Sequence, residues 1–191
     1  MHQPPAARRV EEFANTFDLE SGRDDLSDAD GLARWLTASG HAEAALRVSA
    51  TDHQMCLDLR AGIREALSTD RPPVPHLLAR ADSALTELPV LVSLAQSTAT
   101  GGHPPDARAL VPAPSLPPVR RVYASLALDW AELVTTGQVT RLKLCAEHTC
   151  RWVFWDGSKN QSRRWCSMRV CGNRTKSRRH SERARAPESE N

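Results

Sequence analysis

The chain has 191 residues, of which 25 are Lys or Arg, 23 are Asp or Glu and 40% are hydrophobic, enough for one or two domains with a sizeable core in at least one. No run approaches the roughly 20 apolar residues of a membrane span, and the opening MHQPPAARRVEEF lacks the apolar core of a secretory signal, so a cytoplasmic protein without a membrane partner is expected. The net charge of +2 conceals a division: residues 1–140 carry 12 Arg against 18 acids, net −6, whereas residues 141–185 carry 13 Lys or Arg against three acids, net +10. Such segregation points to a polyanion as partner of the C-terminal part.

In chain order, a helix is expected from Asp30 to about Ser39, with Leu32, Trp35 and Leu36 inward, Ser27 or Asp28 near its start and Gly40 as its stop. A longer helical stretch follows from about Ala42 to Leu67, where Met55, Cys56, Leu59, Ile63, Ala66 and Leu67 recur as one apolar stripe. Cys56 within it reads as a buried core thiol. Another helix starts at Pro75, carries Leu77, Leu78, Ala81, Leu85 and Leu88, and is ended by Pro89.

Between Pro89 and Pro118, Gly101, Gly102, Pro104, Pro105, Pro112, Pro114 and Pro117 exclude a continuous helix. Short strands are expected there, at Val90–Leu94 and Ala109–Val111. Pro117 and Pro118 then open a strongly apolar helix through Val119, Val122, Tyr123, Leu126, Leu128, Trp130, Leu133 and Val134, which Gly137 terminates and whose hydrophobicity places it at the domain centre. The N-terminal domain, 1–138, is thus read as mainly α with a few short strands. Asn15, Thr16 and Asp18 suit either a pocket or capping and turns, and His41, His53, His76 and His103 have no metal-pair spacing.

The second unit, 139–185, contains Cys145, Cys150, Cys166 and Cys171 as two C-x4-C pairs fifteen residues apart. Four thiolates satisfy tetrahedral Zn(II) and leave no open position, so one structural zinc ion is expected and no hydrolysis. Leu142 and Leu144 alternate with basic residues and parts of Trp152–Trp155 do likewise, which puts the first pair on a β-hairpin knuckle. Ser167 can cap a basic helix from about Met168 to Arg183. Apolar candidates are few (Trp152, Phe154, Trp155 and Trp165 among them), so the metal, worth about 10–16 kcal/mol in comparable peptides, is expected to decide folding. Disulfides within each pair are the rival, and His148 is the alternative ligand. The tail, 186–191, reads as disordered.

On the basic helix Arg174 and Arg178 fall four apart, with Lys176, Arg179 and Arg183 broadening the strip and Arg163, Arg164 and Arg169 extending it. Seven of these, Arg163, Arg164, Arg169, Arg174, Lys176, Arg178 and Arg179, are the candidate nucleic-acid contacts. The aromatic residues serve either as a small core or as platforms for unpaired bases.

The two cysteine pairs, the run Ser162-Arg163-Arg164-Trp165-Cys166-Ser167-Met168, and Cys171-Gly172-Asn173-Arg174 followed by Lys176, Arg178, Arg179 and His180 closely resemble the CGNR zinc finger. Asn15-Thr16 and the Leu32-Ala33-Arg34-Trp35-Leu36 helix make the N-terminal part similar, more loosely, to the ABATE domain usually joined to that finger. The resemblance implies a bacterial, stress-induced transcription regulator with a DNA-binding finger. Such a regulator is expected to bind double-stranded DNA through the finger and to use the acidic helical N-terminal domain for sensing or for forming a homodimer. An RNA- or ribosome-associated finger shares nearly all of these features. No open catalytic zinc and no nucleophile with an adjacent base is visible, so no enzyme is expected.

Overall fold

Pro4 and Pro5 open the first helix, α1 (Pro5–Ala14), where the missing N–H of proline removes only a donor that a helix leaves unpaired anyway. The chain was analysed as a computed structural model, in which residues 2–40, 46–94 and 109–185 are described, with the backbone alone at 179, 180 and 182–185. His41, Ala42, Gly101, Gly102, His103, Pro104, Pro105, the Arg179 side chain and the tail from 186 lie outside them. Helix α1 is absent from the expectations above, yet Ala6, Ala7, Val10, Phe13 and Ala14 bury one face of it.

The second helix, α2 (Ala29–Ala38), is capped by Asp28, whose Oδ1 accepts from the Gly31 amide at 2.6 Å, and it stops before Gly40, at φ +71°. The third, α3, runs over Ala50–Ala66, so its start lies later than the expected Ala42. The reason is local: the Ser49 hydroxyl accepts from the Asp52 amide at 3.1 Å and donates to the Asp52 carboxylate at 2.6 Å, and residues 46–49 are not helical. Helix α4 (Pro75–Thr86) packs against α3 so closely that a Cβ on Gly62 would stand 2.2 Å from the Ala81 Cβ. The strands β1 (Val90–Val92) and β2 (Leu110–Pro112) pair antiparallel where expected, and α5 (Pro118–Thr135) follows.

Phe13, Leu32, Leu36, Met55, Leu59, Tyr123 and Leu126 form the main core, each at most 5% exposed, and each such side chain contributes about 1.5–3 kcal/mol. Cys56 is fully buried among them, and burial pushes its thiol up to about 12, which leaves it inert. No helix among the described residues is long and apolar enough to cross a membrane.

Gly137, at φ +71°, turns the chain through a short 3-10 segment into β3 (Leu142–Leu144), which pairs antiparallel with β4 (Val153–Trp155). Alternation along β4 divides its side chains between two environments. Val153 and Trp155, with Leu142, enter a second apolar cluster built from Ala6, Ala7, Val10, Ala14, Leu67 and Leu133. Phe154 faces the other way and packs with the four cysteines and Trp165.

Polar clamps reinforce the hairpin's inner contact. The Asn15 side chain pairs with the backbone of Val153 in both directions, Nδ2 donating to the carbonyl at 2.8 Å and Oδ1 accepting from the amide at 2.8 Å. The Arg64 guanidinium donates to the Ala14 carbonyl at 2.7 Å and to the Arg151 carbonyl at 3.0 Å. Arg151 in turn reaches Asp70 at 2.5 Å and Ser68 at 3.1 Å. After the second cysteine pair comes α6 (Asn173–Arg185), entered through a π-helical turn at Met168–Gly172 where the expectation was a helix beginning at Met168.

Candidate metal centre and basic surface

Each cysteine is placed by a distinct backbone device. The Cys145 amide donates to the Trp152 carbonyl at 2.8 Å, extending the hairpin ladder one step beyond the strands. Between Cys145 and Cys150 the chain turns back, with the Cys150 amide on the Glu147 carbonyl at 2.9 Å. The Ala146 amide donates to the Arg164 carbonyl at 2.8 Å, and that bond draws the second cysteine pair toward the first. Ser167 caps the π-turn as expected from the sequence, its hydroxyl accepting from the Val170 amide at 3.3 Å. The Met168 side chain lies over Gly172, where a Cβ would stand 2.4 Å from the Met168 sulfur and would displace the end of that flexible, half-exposed side chain.

The four sulfurs lie within 4.8 Å of one another, with Cys150 to Cys166 and Cys166 to Cys171 each at 3.7 Å. A tetrahedral site with Zn–S bonds of about 2.3 Å has edges of about 3.8 Å, so the donor set fits a thiophilic divalent ion in both chemistry and spacing. The cysteines are unbridged; one of the two short separations joins the two C-x4-C pairs and the other lies within the second pair. Burial, with the neighbouring sulfurs, pushes the Cys171 thiol up to about 12 and raises Cys166 as well. A central dication would reverse that balance by stabilising the thiolates. His148 is exposed, 3.2 Å from the Glu147 carboxylate, and is not one of the clustered donors.

Glu147, fully buried between the first two cysteines, was not singled out by sequence reasoning. Its carboxylate accepts from Arg178 Nη1 at 2.9 and 3.1 Å, lies 2.9 Å from the Thr175 hydroxyl, and meets the Thr149 hydroxyl at 3.3 Å. Burial pulls its pKa upward, but the Arg178 guanidinium and the hydroxyls prevail and hold it at about 2. The Thr175 hydroxyl also accepts from Trp165 Nε1 at 3.2 Å. Together these contacts fasten α6 onto the knuckle.

Asp156, also fully buried, organises the loop that leads to Cys166. It pairs with Lys143 Nζ at 2.7 Å and accepts from the Ser158 hydroxyl at 2.6 Å and the Arg163 amide at 3.0 Å. Despite burial, the Lys143 ammonium beside it holds its carboxyl well below the usual carboxylate range. Only three acids interrupt residues 141–185, and two of them are these anchors; their isolation in so basic a stretch was the available signal.

The basic candidates separate by what they touch. Arg163 donates to the Cys166 carbonyl at 2.8 Å and to the Trp155 carbonyl at 3.3 Å, and lies over the Phe154 ring at 4.9 Å. Arg178 is held by Glu147, and Arg174 reaches Glu20 at 2.8 Å and Thr149 at 3.3 Å. The face carrying Arg174 and Arg178 is therefore the docked face of α6. Arg164, Arg169 and Lys176 are exposed with no ion-pair partner among the described residues, Arg164 resting 5.5 Å from the centre of the Trp165 ring. Of the aromatics, Phe154 and Trp165 flank the cysteines, Trp155 belongs to the apolar cluster, and Trp152 is 36% exposed. Thr16 bonds the Phe13 carbonyl at 2.8 Å, whereas Asp18 accepts from Ser21 at 2.7 Å to close a turn and also borders an open cleft beside Cys150, Trp152 and Cys166.

Comparison with known families agrees with this arrangement. The CGNR zinc finger matches residues 141–184, and the family described as "Putative stress-induced transcription regulator", the ABATE domain, matches residues 7–137. No curated protein matches the chain. With most of its length matched and the finger following in the same order, the chain belongs to the ABATE family of transcription-regulator-like proteins that carry a C-terminal CGNR zinc finger.

Proposed function

We propose that this protein is a zinc-dependent, DNA-binding transcription regulator in which Cys145, Cys150, Cys166 and Cys171 hold one structural Zn(II) and the finger engages duplex phosphates. The observation that carries the reading is the division of the cations. Arg163, Arg174 and Arg178 are engaged in contacts within the protein, whereas Arg164, on the segment leading to Cys166, Arg169, on the π-turn, and Lys176, on α6, stand exposed. Like charges on so small and basic a unit repel one another, and a polyanion removes that repulsion. The zinc supplies structure and charge compensation for the thiolates; the phosphate contacts are the work of the side chains. The acidic N-terminal domain has no such attraction and serves sensing or assembly.

The test is the salt dependence of duplex binding, followed by fluorescence anisotropy on zinc-loaded protein. Release of counterions from three phosphates gives a log–log slope of about −3. Replacing Arg164, Arg169 and Lys176 together with Gln should bring the slope close to zero while leaving the melting temperature unchanged. An unaltered slope in that variant defeats the assignment, and tighter binding of structured RNA than of duplex DNA at equal salt moves the protein to the RNA-associated class.

A further inference from the structure

The β1–β2 ribbon is the most exposed apolar part of the described chain. Val90 is 39% exposed, Leu91 50%, Val92 70%, Leu94 88% and Leu110 41%. A two-stranded ribbon of three residues per strand is marginal by itself in water, and an exposed apolar edge is an open invitation to pairing.

The two edges of the ribbon are not equivalent. Ladder bonds run from the Ala113 amide to the Pro89 carbonyl at 3.0 Å and from the Ser93 amide to the Ala109 carbonyl at 2.7 Å, with Leu91 opposite Val111 between them. Antiparallel alternation then turns the amides and carbonyls of Val90 and Val92 outward, and neither residue has a hydrogen-bond partner there among the described residues. On β2 the outward positions are Leu110 and Pro112, and Pro112 has no donor to offer, so that edge is blunted and the strand packs against α5. Among the described residues, the outer edge of β1 thus keeps unpaired donors and acceptors at both outward positions, Val90 and Val92.

We propose that the outer edge of β1 is a homodimer interface, pairing antiparallel with β1 of a second copy about a two-fold axis at Leu91. The sequence is its own complement in that register. Val90 of each chain faces Val92 of the other, exchanging four backbone hydrogen bonds in all, and Leu91 meets its own copy on the axis. Residues 89–94, PVLVSL, carry no charge, so self-pairing brings no like charges together, although the N-terminal part as a whole is acidic. The product is a four-stranded sheet, β2-β1-β1-β2, whose remaining edges both contain Pro112. An interface this small gives a weak, concentration-dependent dimer. It goes beyond the DNA reading and needs no DNA to form, though it would set two fingers in two-fold relation and so favour paired half-sites.

Sedimentation equilibrium of the zinc-loaded chain without DNA, from about 1 to 200 µM, tests it. The wild type should show reversible monomer–dimer association. Val92→Lys and Val92→Pro should each raise the dissociation constant at least about tenfold, the first by placing two charges at the pairing and the second by deleting an outward amide. Leu85→Lys, which alters an exposed apolar residue elsewhere, should leave it unchanged. The amides of Val90 and Val92 should gain protection from hydrogen exchange as concentration rises, a readout that survives even if both Val92 variants misfold. A wild type monomeric throughout, variants that associate like the wild type, or amides at 90 and 92 that exchange equally fast at both ends of the range would each overturn the interface. Duplex binding, measured separately, would stand or fall independently of that result.

Discussion

One short strand separates two ways of holding a small structure together. On the side of β4 that carries Val153 and Trp155, the finger's hairpin is welded to α1, α3 and α5 by apolar burial and by the Asn15 and Arg64 clamps. On the side that carries Phe154, the chain has almost no apolar material and relies on four sulfurs, the Glu147–Arg178 pair and a few hydroxyls. The helical face borrows a core that exists without metal; the cysteine face has none to borrow. The teaching is that the basic helix, rather than the whole C-terminal unit, is what a bound ion would have to organise.

The sharpest way to break this contrast is Cys166→Ala. Losing one of four thiolates removes most of a coordination energy of about 10–16 kcal/mol, so the knuckle, the π-turn and α6 should disorder. Metal content should fall below one ion per chain and duplex binding should be lost, while the melting of α1–α5 moves little. Asn15→Ala probes the other side. It strands the buried amide and carbonyl of Val153 and should destabilise the chain by about 3 kcal/mol in urea unfolding, with zinc still bound. An effect below about 0.5 kcal/mol would mean that water replaces both bonds and that the clamp is dispensable.

Glu147→Gln sharpens the comparison from within the metal side. It removes the carboxylate charge that pairs with Arg178 in the knuckle, and because Arg178 remains 36% exposed the cost should be smaller, about 2 kcal/mol. Hydrogen exchange of α6 amides should quicken while the metal stays bound. Equal protection in variant and wild type would show that the sulfurs alone hold the helix.

Much of this division could be read from residue types and spacing, and the remainder fails for identifiable reasons. The cysteine pairs, the Asp28 and Ser167 caps, the strands at 90 and 110 and the Pro118 helix all rest on local signals that the tertiary structure keeps. Helix α1 went unread because its charged text masks the spacing of Ala6, Val10, Phe13 and Ala14, even though Pro5 marks its start. The start of α3 was set too early because the apolar stripe was extended past the Ser49–Asp52 cap. Long-range partners are the deeper limit: no spacing rule announces that Asn15 clamps Val153, 138 positions away. The same holds for Arg174 and Arg178, whose helical spacing was legible but whose acidic partners Glu20 and Glu147 were not.

Hydrogen exchange read by mass spectrometry, with the zinc-loaded chain compared before and after chelation, tests the central claim most directly. The account predicts that peptides covering 145–151 and 166–181 lose protection together, while those covering Val153–Trp155 and α1 keep theirs. Protection lost equally across the hairpin and α1, or retained in α6 without metal, would contradict it.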